Sequence, residues 1–260
     1  MQQLFNVMRF NLGTWDYTAK NTVVTFNGES ISALIVGANV LDVKIGAPMI
    51  EVLSHDKGVT HGRDFVRRRY TTRKIVVSIE LPLDKSSYAE NVRKVRSWAS
   101  SDEPRQLILD VYKSRYIECI CTNLNDITPK EWWMPVEVEF TAFDPFFYSN
   151  EEKSVSIGSS GYASFTIEGD APGSLSVVLA VTSGMDTENL VFEADDGKYV
   201  KPQSISGLGE LVVDYGRKEC KFNDSPIAVT LPSRYSSFGV GEHIISAMAG
   251  SVIKWRERWL

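Results

Sequence analysis

Period-two alternation of apolar and polar residues runs through most of this chain and constrains its fold more than any other feature. Val136, Val138, Phe140 and Ala142 alternate with Glu137, Glu139 and Thr141, the pattern of a strand with one face buried and one face wet. Ile75, Val77, Ile79 and Leu81 repeat it, as do Leu107, Leu109 and Val111, and Ile117, Cys119 and Cys121. Earlier, Thr22–Phe26 runs into Asn27-Gly28 and then Ile31–Val36, which predicts a hairpin, because both turn positions need positive φ. One segment breaks the period. Ser87 and Glu90 are spaced as a capping box, and Tyr88, Val92, Val95 and Ala99 follow at helical spacing. This predicts a helix over about 88–100, too short to persist unless it packs on a sheet.

The texture changes after Phe143-Asp144-Pro145-Phe146-Phe147. Pro145 stops strand pairing, and Glu151, Glu152 and Lys153 read as a solvated link. Beyond it the pattern is purely β, with candidate strands at 154–157, 163–168, 175–181, 189–193, 211–214, 219–222, 227–231, 243–247 and 252–259. Many short strands separated by turn residues suggest a sandwich or jelly roll. The expected organisation is two domains, 1–147 and 148–260, with the boundary near 147–153. Whether the last strand packs back on the first domain is left open.

Composition narrows the class. The chain has 260 residues, 43% hydrophobic and 23% charged, an ordinary globular balance. No run approaches the ~18 apolar residues of a membrane span, and no basic start precedes an apolar core near the N-terminus. Three cysteines do not make a disulfide framework. The expectation is a soluble protein without membrane insertion, folded in a reducing cytoplasm. The net charge of −5 falls entirely after Phe147, since residues 1–147 hold 18 Lys+Arg against 18 Asp+Glu. That balance argues against a nucleic-acid binder. One basic segment stands out: Arg63, Arg67, Arg68, Arg69, Arg73 and Lys74 against Asp64. It reads as a solvated flank, as a contact surface for an acidic partner or as a phosphate-binding patch, the last disfavoured because only Phe65 and Tyr70 are interleaved with it.

Catalytic and metal-binding patterns are not visible. His55 and His61 flank Asp56 in a loop-like stretch and His243 stands alone, without metal-ligand spacing. Cys119 and Cys121 lack a second pair and read as core residues. There is no Gly-x-Ser-x-Gly elbow and no phosphate-cradling loop before a helix. The expectation is a protein that is not an enzyme and uses no metal or cofactor. Trp132, Trp133, Trp255 and Trp259 read as core and interface residues, with stacking against sugar rings as the functional alternative.

The order of these features resembles the distal tail protein (Dit) family of siphophages, over nearly the whole chain. Thr25-Phe26-Asn27-Gly28 and Ile31–Val43 resemble its opening hairpin. His61-Gly62-Arg63-Asp64 and Arg73-Lys74-Ile75-Val76-Val77 resemble its next turn and strand, and Phe140-Thr141-Ala142-Phe143-Asp144-Pro145 resembles the close of its first domain. In the second half, Gly209–Asp214, Lys221–Asn223, Leu231–Ile245 and the basic-aromatic end Trp255–Leu260 follow in family order. Phe65 and Asp224 stand where the family has Gly, and His243 where it has Asn.

The resemblance implies a mainly β fold. A tail-tube-like sandwich with one helix and a long hairpin arm (a belt, about 44–72) would be followed by a galectin-like or carbohydrate-module-like sandwich. It implies a structural virion protein of the phage or prophage tail tip, assembled in the host cytoplasm. Six copies would close a ring that links the tail tube to the adsorption apparatus and lets DNA pass. Expected partners are other copies of the chain, the tail tube protein, the tail-associated lysin or hub, and receptor-binding proteins. Arg63, Arg67, Arg68, Arg69 and Arg73 are the candidate belt contacts. Trp132, Trp133, Trp255 and Trp259 are candidate contacts for glycan or partner, and a carbohydrate-binding module that attaches to cell-surface glycans is the alternative function.

Overall fold

The computed structural model describes residues 5–10, 14–17, 22–56, 63–82, 88–112, 114–125 and 134–260. The chain is mainly β and divides into two compact units, 1–147 and 148–259. No helix among the described residues is long and apolar enough to cross a membrane.

The first unit contains β1 (Phe5–Phe10), β2 (Thr14–Tyr17), β3 (Val24–Phe26), β4 (Glu29–Ser30), α1 (Ile31–Leu34), β5 (Asn39–Gly46), β6 (Ile50–Asp56), β7 (Arg63–Tyr70), β8 (Arg73–Leu81), α2 (Tyr88–Ala99), β9 (Arg105–Leu109), β10 (Arg115–Leu124) and β11 (Met134–Ala142). Its main antiparallel sheet runs β2-β5-β8-β11-β10. β10 is shared: Ile117–Cys119 pair with β9, whereas Ile120–Leu124 pair with β11 across a bulge. β9 in turn pairs with β3. The alternation seen in the sequence points Ile75, Val77, Ile79, Val136, Val138 and Phe140 into the core. On α2, Asn91, Val95, Trp98 and Ala99 are buried, and Arg93 and Arg96 face out. Trp98 meets Phe26 and Phe140 edge-on, each at 5.9 Å, and donates its indole N–H to Glu29 O at 2.9 Å. The helix is therefore locked by aromatic packing and by a satisfied indole. The candidate cap Ser87 lies outside the described residues.

The segment after the Asn-Gly turn departs from expectation. Asn27 and Gly28 both have positive φ, 51° and 82°, as the hairpin requires. The return strand, however, lasts only Glu29–Ser30, and Ile31–Leu34 is a helical turn capped by Ser30, whose Oγ accepts from Ala33 N at 3.2 Å. Ile31 and Ile35, four apart, are both buried while Val36 is exposed. Four-residue spacing with a Ser cap outweighs the local alternation.

The second unit holds β13 (Lys153–Ser156), β14 (Tyr162–Ile167), β15 (Ala171–Val181), β16 (Phe192–Ala194), β17 (Tyr199–Val200), β18 (Gly209–Asp214), β19 (Glu219–Phe222), β20 (Ser225–Pro226), β21 (Gly241–Ser246) and β22 (Val252–Trp259); β12 (Phe147–Ser149) straddles the division. β22-β15-β18-β19-β20 form one antiparallel sheet, with β13 also on β22, and β14-β21-β16-β17 form a second. Their inner faces share a core that includes Phe165, Ile167, Leu175, Val177, Phe192, Leu211, Val213, Phe238, Ile245, Ile253 and Trp255, the layering of a β-sandwich. The strand expected at 227–231 reduces to a single bridge, Pro202 to Val229. Pro202 has no N–H with which to extend the ladder, and Leu231 is fully exposed.

Two positions at which the sequence departs from the family pattern have defined local geometry. Asn223 and Asp224 turn at φ 48° and 62°, so Asp224 holds the left-handed conformation that Gly would adopt without strain. His243 sets Nδ1 2.8 Å from Asp195 and Nε2 2.9 Å from Gly239 O, which gives both ring nitrogens a fixed partner.

Candidate assembly surface

β7 carries the sequence RDFVRRRY, and none of its eight residues is buried. It cannot alternate because it has no core to face. It lies at one edge of a three-stranded sheet, β1-β6-β7, separate from the main sheet of the first unit. The two paired strands are Ile50–Asp56 and Arg63–Tyr70, whereas Lys44–Gly46 stay in β5, paired with β8 and β2. A bulge between Leu53 and Ser54 sets Val66 out of register, and Phe65 and Val66 are 67% and 42% exposed. An open strand edge that shows both aromatic and aliphatic side chains is a pairing template.

The arginines have distinct settings. Arg69 stands directly opposite Glu51 and pairs with its buried carboxylate. Arg68 lies over the Tyr70 ring at 5.3 Å and donates to its hydroxyl at 2.9 Å, an exposed cation–π contact. Arg67 has no ion pair among the described residues. Arg63 is exposed at the start of the strand. On the facing strand, His55 sits 3.4 Å from Asp64. Arg73 is the exception: it is 3% exposed, at the first position of β8, with its guanidinium 5.1 Å from the Phe147 ring centre. It belongs to the interior of the unit, which corrects its assignment to the contact set. The alternating strand that begins there turns its odd positions inward, and Arg73 is the first of them.

At the base of the arm, Met49, Glu51, Arg69, Tyr70, Thr71, Thr72 and Phe143 surround a cavity of about 450 Å³. Its neck is fixed by Met49 N to Thr72 O at 2.7 Å and Thr71 N to Met49 O at 2.9 Å. Phe143, 63% exposed, forms its apolar lip. In the sequence, Phe143 stands out only as part of the run Phe140–Pro145 that closes the first domain.

The outward face of the main sheet supplies a second surface. Its strand residues include Asp42, Glu80, Glu118, Glu137 and Glu139, against Lys44 and Lys74. Lys74 pairs with Glu139 at 2.8 Å, and Asn125 donates to Glu137 at 2.8 Å. This face carries excess negative charge although residues 1–147 are neutral as a whole. The arm holds the compensating arginines.

The other predicted positions divide. Trp132, Trp133 and His61 lie outside the described residues. Trp255 is 7% exposed in the second core, 5.2 Å from Phe165, and donates to Glu257 at 3.1 Å. It is a packing residue and not a contact for glycan, because the inward face of β22 carries it. Trp259, on the same face at the strand's end, is half-buried. Cys119 and Cys220 are buried, and desolvation raises both thiols, Cys220 to about 11. Such thiols are poor nucleophiles at neutral pH. Among the described residues no group of three His, Cys, Asp or Glu is placed to hold a metal.

Comparison with known proteins agrees with this architecture. Residues 168–259 match the sequence profile of a family described as siphovirus-type tail component, C-terminal domain. The match covers the second unit and not the first. The crystal structure of the SPP1 Dit protein, described as a paradigm of the hub adsorption apparatus in phages that infect Gram-positive bacteria, superposes with a TM-score of 0.70 over 92% of this chain and 99% of that one, at 13% identity. The two share a fold. A chain of the phage P2 baseplate in its activated conformation with Ca aligns over 97% of this chain and 90% of its own, at 7% identity and a TM-score of 0.44, too low to carry a comparison of fold. No curated protein matches the sequence.

Proposed function

We propose that this tail component is a distal tail hub subunit. Six copies close a ring that joins the tail tube to the tip apparatus, and DNA passes through the central channel without specific binding. The second unit is read as a galectin-like sandwich. The protein works by geometry, not by bond-making chemistry. Its partners are other copies of itself, the tube protein above and the tail-associated lysin or hub below, with receptor-binding proteins docking on the assembly. It acts in the virion after assembly in the host cytoplasm.

The observation that carries this reading is β7, a strand of eight residues, none buried, at the open edge of a sheet outside the main core. A ring needs two different complementary surfaces on each subunit, since its contact is heterologous and closes on itself. The basic arm is one such surface. Its charge favours orientation and association rate over raw affinity. The acidic outward face of β5-β8-β11 suits a channel wall, because like charge keeps the DNA backbone from sticking. The tail-component profile over residues 168–259 and the fold shared with SPP1 Dit support the same placement.

The test is charge reversal at Arg67 and Arg68 together, with Arg69 kept because it neutralises the buried carboxylate of Glu51. Both are exposed, so the fold should survive while assembly weakens by at least about tenfold. Sedimentation over a concentration series measures it. Unchanged assembly would mean that the arginines only protect an open edge from aggregation.

A further inference from the structure

One side of the second unit ends in an open strand edge that the hub role does not use. β14 is the last strand of the β14-β21-β16-β17 sheet and pairs with β21 alone. Gly161 O accepts from Ala247 N at 3.0 Å, so the odd residues Ala163, Phe165 and Ile167 turn their backbone groups to β21. The even residues Tyr162, Ser164 and Thr166 turn theirs outward. Among the described residues only Tyr162 O on this edge has a fixed neighbour, Ser160 Oγ at 3.2 Å, and a carbonyl keeps a second lone pair. Glu168 N, next on the same side, is held by Glu257 Oε2 at 2.9 Å, which ends the open run.

This edge carries none of the usual guards, which are Lys, Pro, a bulge or shortness. β17 and β20 have two residues each, β20 ends in Pro226, and β13 starts with Lys153. β14 has six residues, no charge, no Pro and no break in register. Its outward side chains, Tyr162, Ser164 and Thr166, are exposed, and its inward ones, Ala163, Phe165 and Ile167, are buried.

The edge also matches itself. An antiparallel copy centred on Ser164 sets Ser164 against Ser164 and each Tyr162 against a Thr166, and every such pair exchanges two backbone hydrogen bonds. Tyrosine against a β-branched residue is a favourable cross-strand pair. On the inner face Phe165 falls opposite Ala163, large against small. Glu168 falls opposite Ser160, so no like charges meet. A one-residue slip would set outward backbone groups against residues already bound to β21, and a two-residue slip loses a pair. We propose that β14 of a second copy occupies this edge, joining two second units into one continuous sheet about a two-fold axis. So short a ladder is a small contact, and contacts under ~1,000 Å² are weak. Concentration therefore drives it: dilute particles stay apart and concentrated ones pair.

The test is sedimentation of the full chain over a concentration series at low and high salt, with pairing read as a doubling of particle mass. Each second unit carries the chain's whole net charge of −5, so pairing should tighten as salt screens the repulsion, the opposite of a contact made by the arginine arm. Ser164→Lys and Ser164→Glu should each weaken doubling at least about tenfold, since like charges then meet on the two-fold axis. An equal mixture of these two variants should restore it, because Lys then faces Glu. Ser164→Ala should keep it, as the backbone makes the bonds. Far-UV circular dichroism of each variant checks the fold. Absence of doubling at every concentration overturns the proposal. So does doubling that persists in Ser164→Lys, or a mixture that fails to recover it. The hub reading is scored separately: a ring of six that never doubles overturns only the edge contact, and a lone chain that doubles without rings supports the edge contact and overturns the ring.

Discussion

Glu257 offers the sharpest energetic test of the second unit. Its carboxylate is 3% exposed and accepts from Glu168 N and Gly169 N, both at 2.9 Å, from Trp255 Nε1 at 3.1 Å, and from Lys153 Nζ at 3.1 Å. Burial alone would raise its pKa, but these donors outweigh it and hold the carboxyl below its usual range. Glu257→Gln keeps the volume and removes the charge. Its amide then turns a donor toward either the indole N–H or the backbone pair. Hydrogen bonds to a charged group contribute about 1.5–3 kcal/mol each, and one acceptor oxygen is lost. A partner of a buried ion pair is also left behind. The expected cost is about 3 kcal/mol. For a unit of this size that lowers its melting temperature by about 10 °C. The sign with pH follows from the lowered pKa. The stabilisation is present above the unfolded carboxyl's pKa of about 4.3 and disappears as pH falls through the lower folded value. Calorimetry of the full chain from pH 7 down to strongly acid conditions should show wild type and variant converging at the acid end. A difference below about 1 kcal/mol at pH 7, or one that does not shrink with acid, would refute the reasoning. Glu168→Gln, at the exposed end of the same network, should cost under about 1 kcal/mol.

Val95 is fully buried on α2, so Val95→Asp should unfold the first unit at a cost of several kcal/mol, read as loss of its thermal transition. Asp224→Gly should stabilise the second unit by about 0.5 kcal/mol, since relief of left-handed strain exceeds the added chain entropy; a shift in the urea midpoint measures it. Gly169→Ala should destabilise strongly, by about 3 kcal/mol, because the new Cβ would lie 2.2 Å from Arg258 O; the soluble yield and melting temperature report it.

Much of the architecture is legible in the chain because half-buried strands write their burial directly as alternation. β8 and β11 follow that pattern along their length. Helical spacing on α2 is equally plain, since Val95 and Ala99 meet one sheet. Where the sequence misled, a tertiary partner decided. Ile31–Val36 alternates adequately for a strand, but the core accepts Ile31 and Ile35 together and Ser30 caps the turn. Arg73 looks like part of a basic surface run, yet β8 begins with it on the inward side. Trp255 and Glu257 share the buried face of β22 with Ile253, and no local pattern distinguishes a carboxylate held by backbone donors from one in water.

Particle mass and symmetry in solution test the central claim most directly. Native mass spectrometry, with negative-stain micrographs of the same sample, should give six times the 29.1 kDa chain and rings with a central opening. A species that stays a single chain at every concentration, both alone and with the tube protein and tail lysin added, would contradict it.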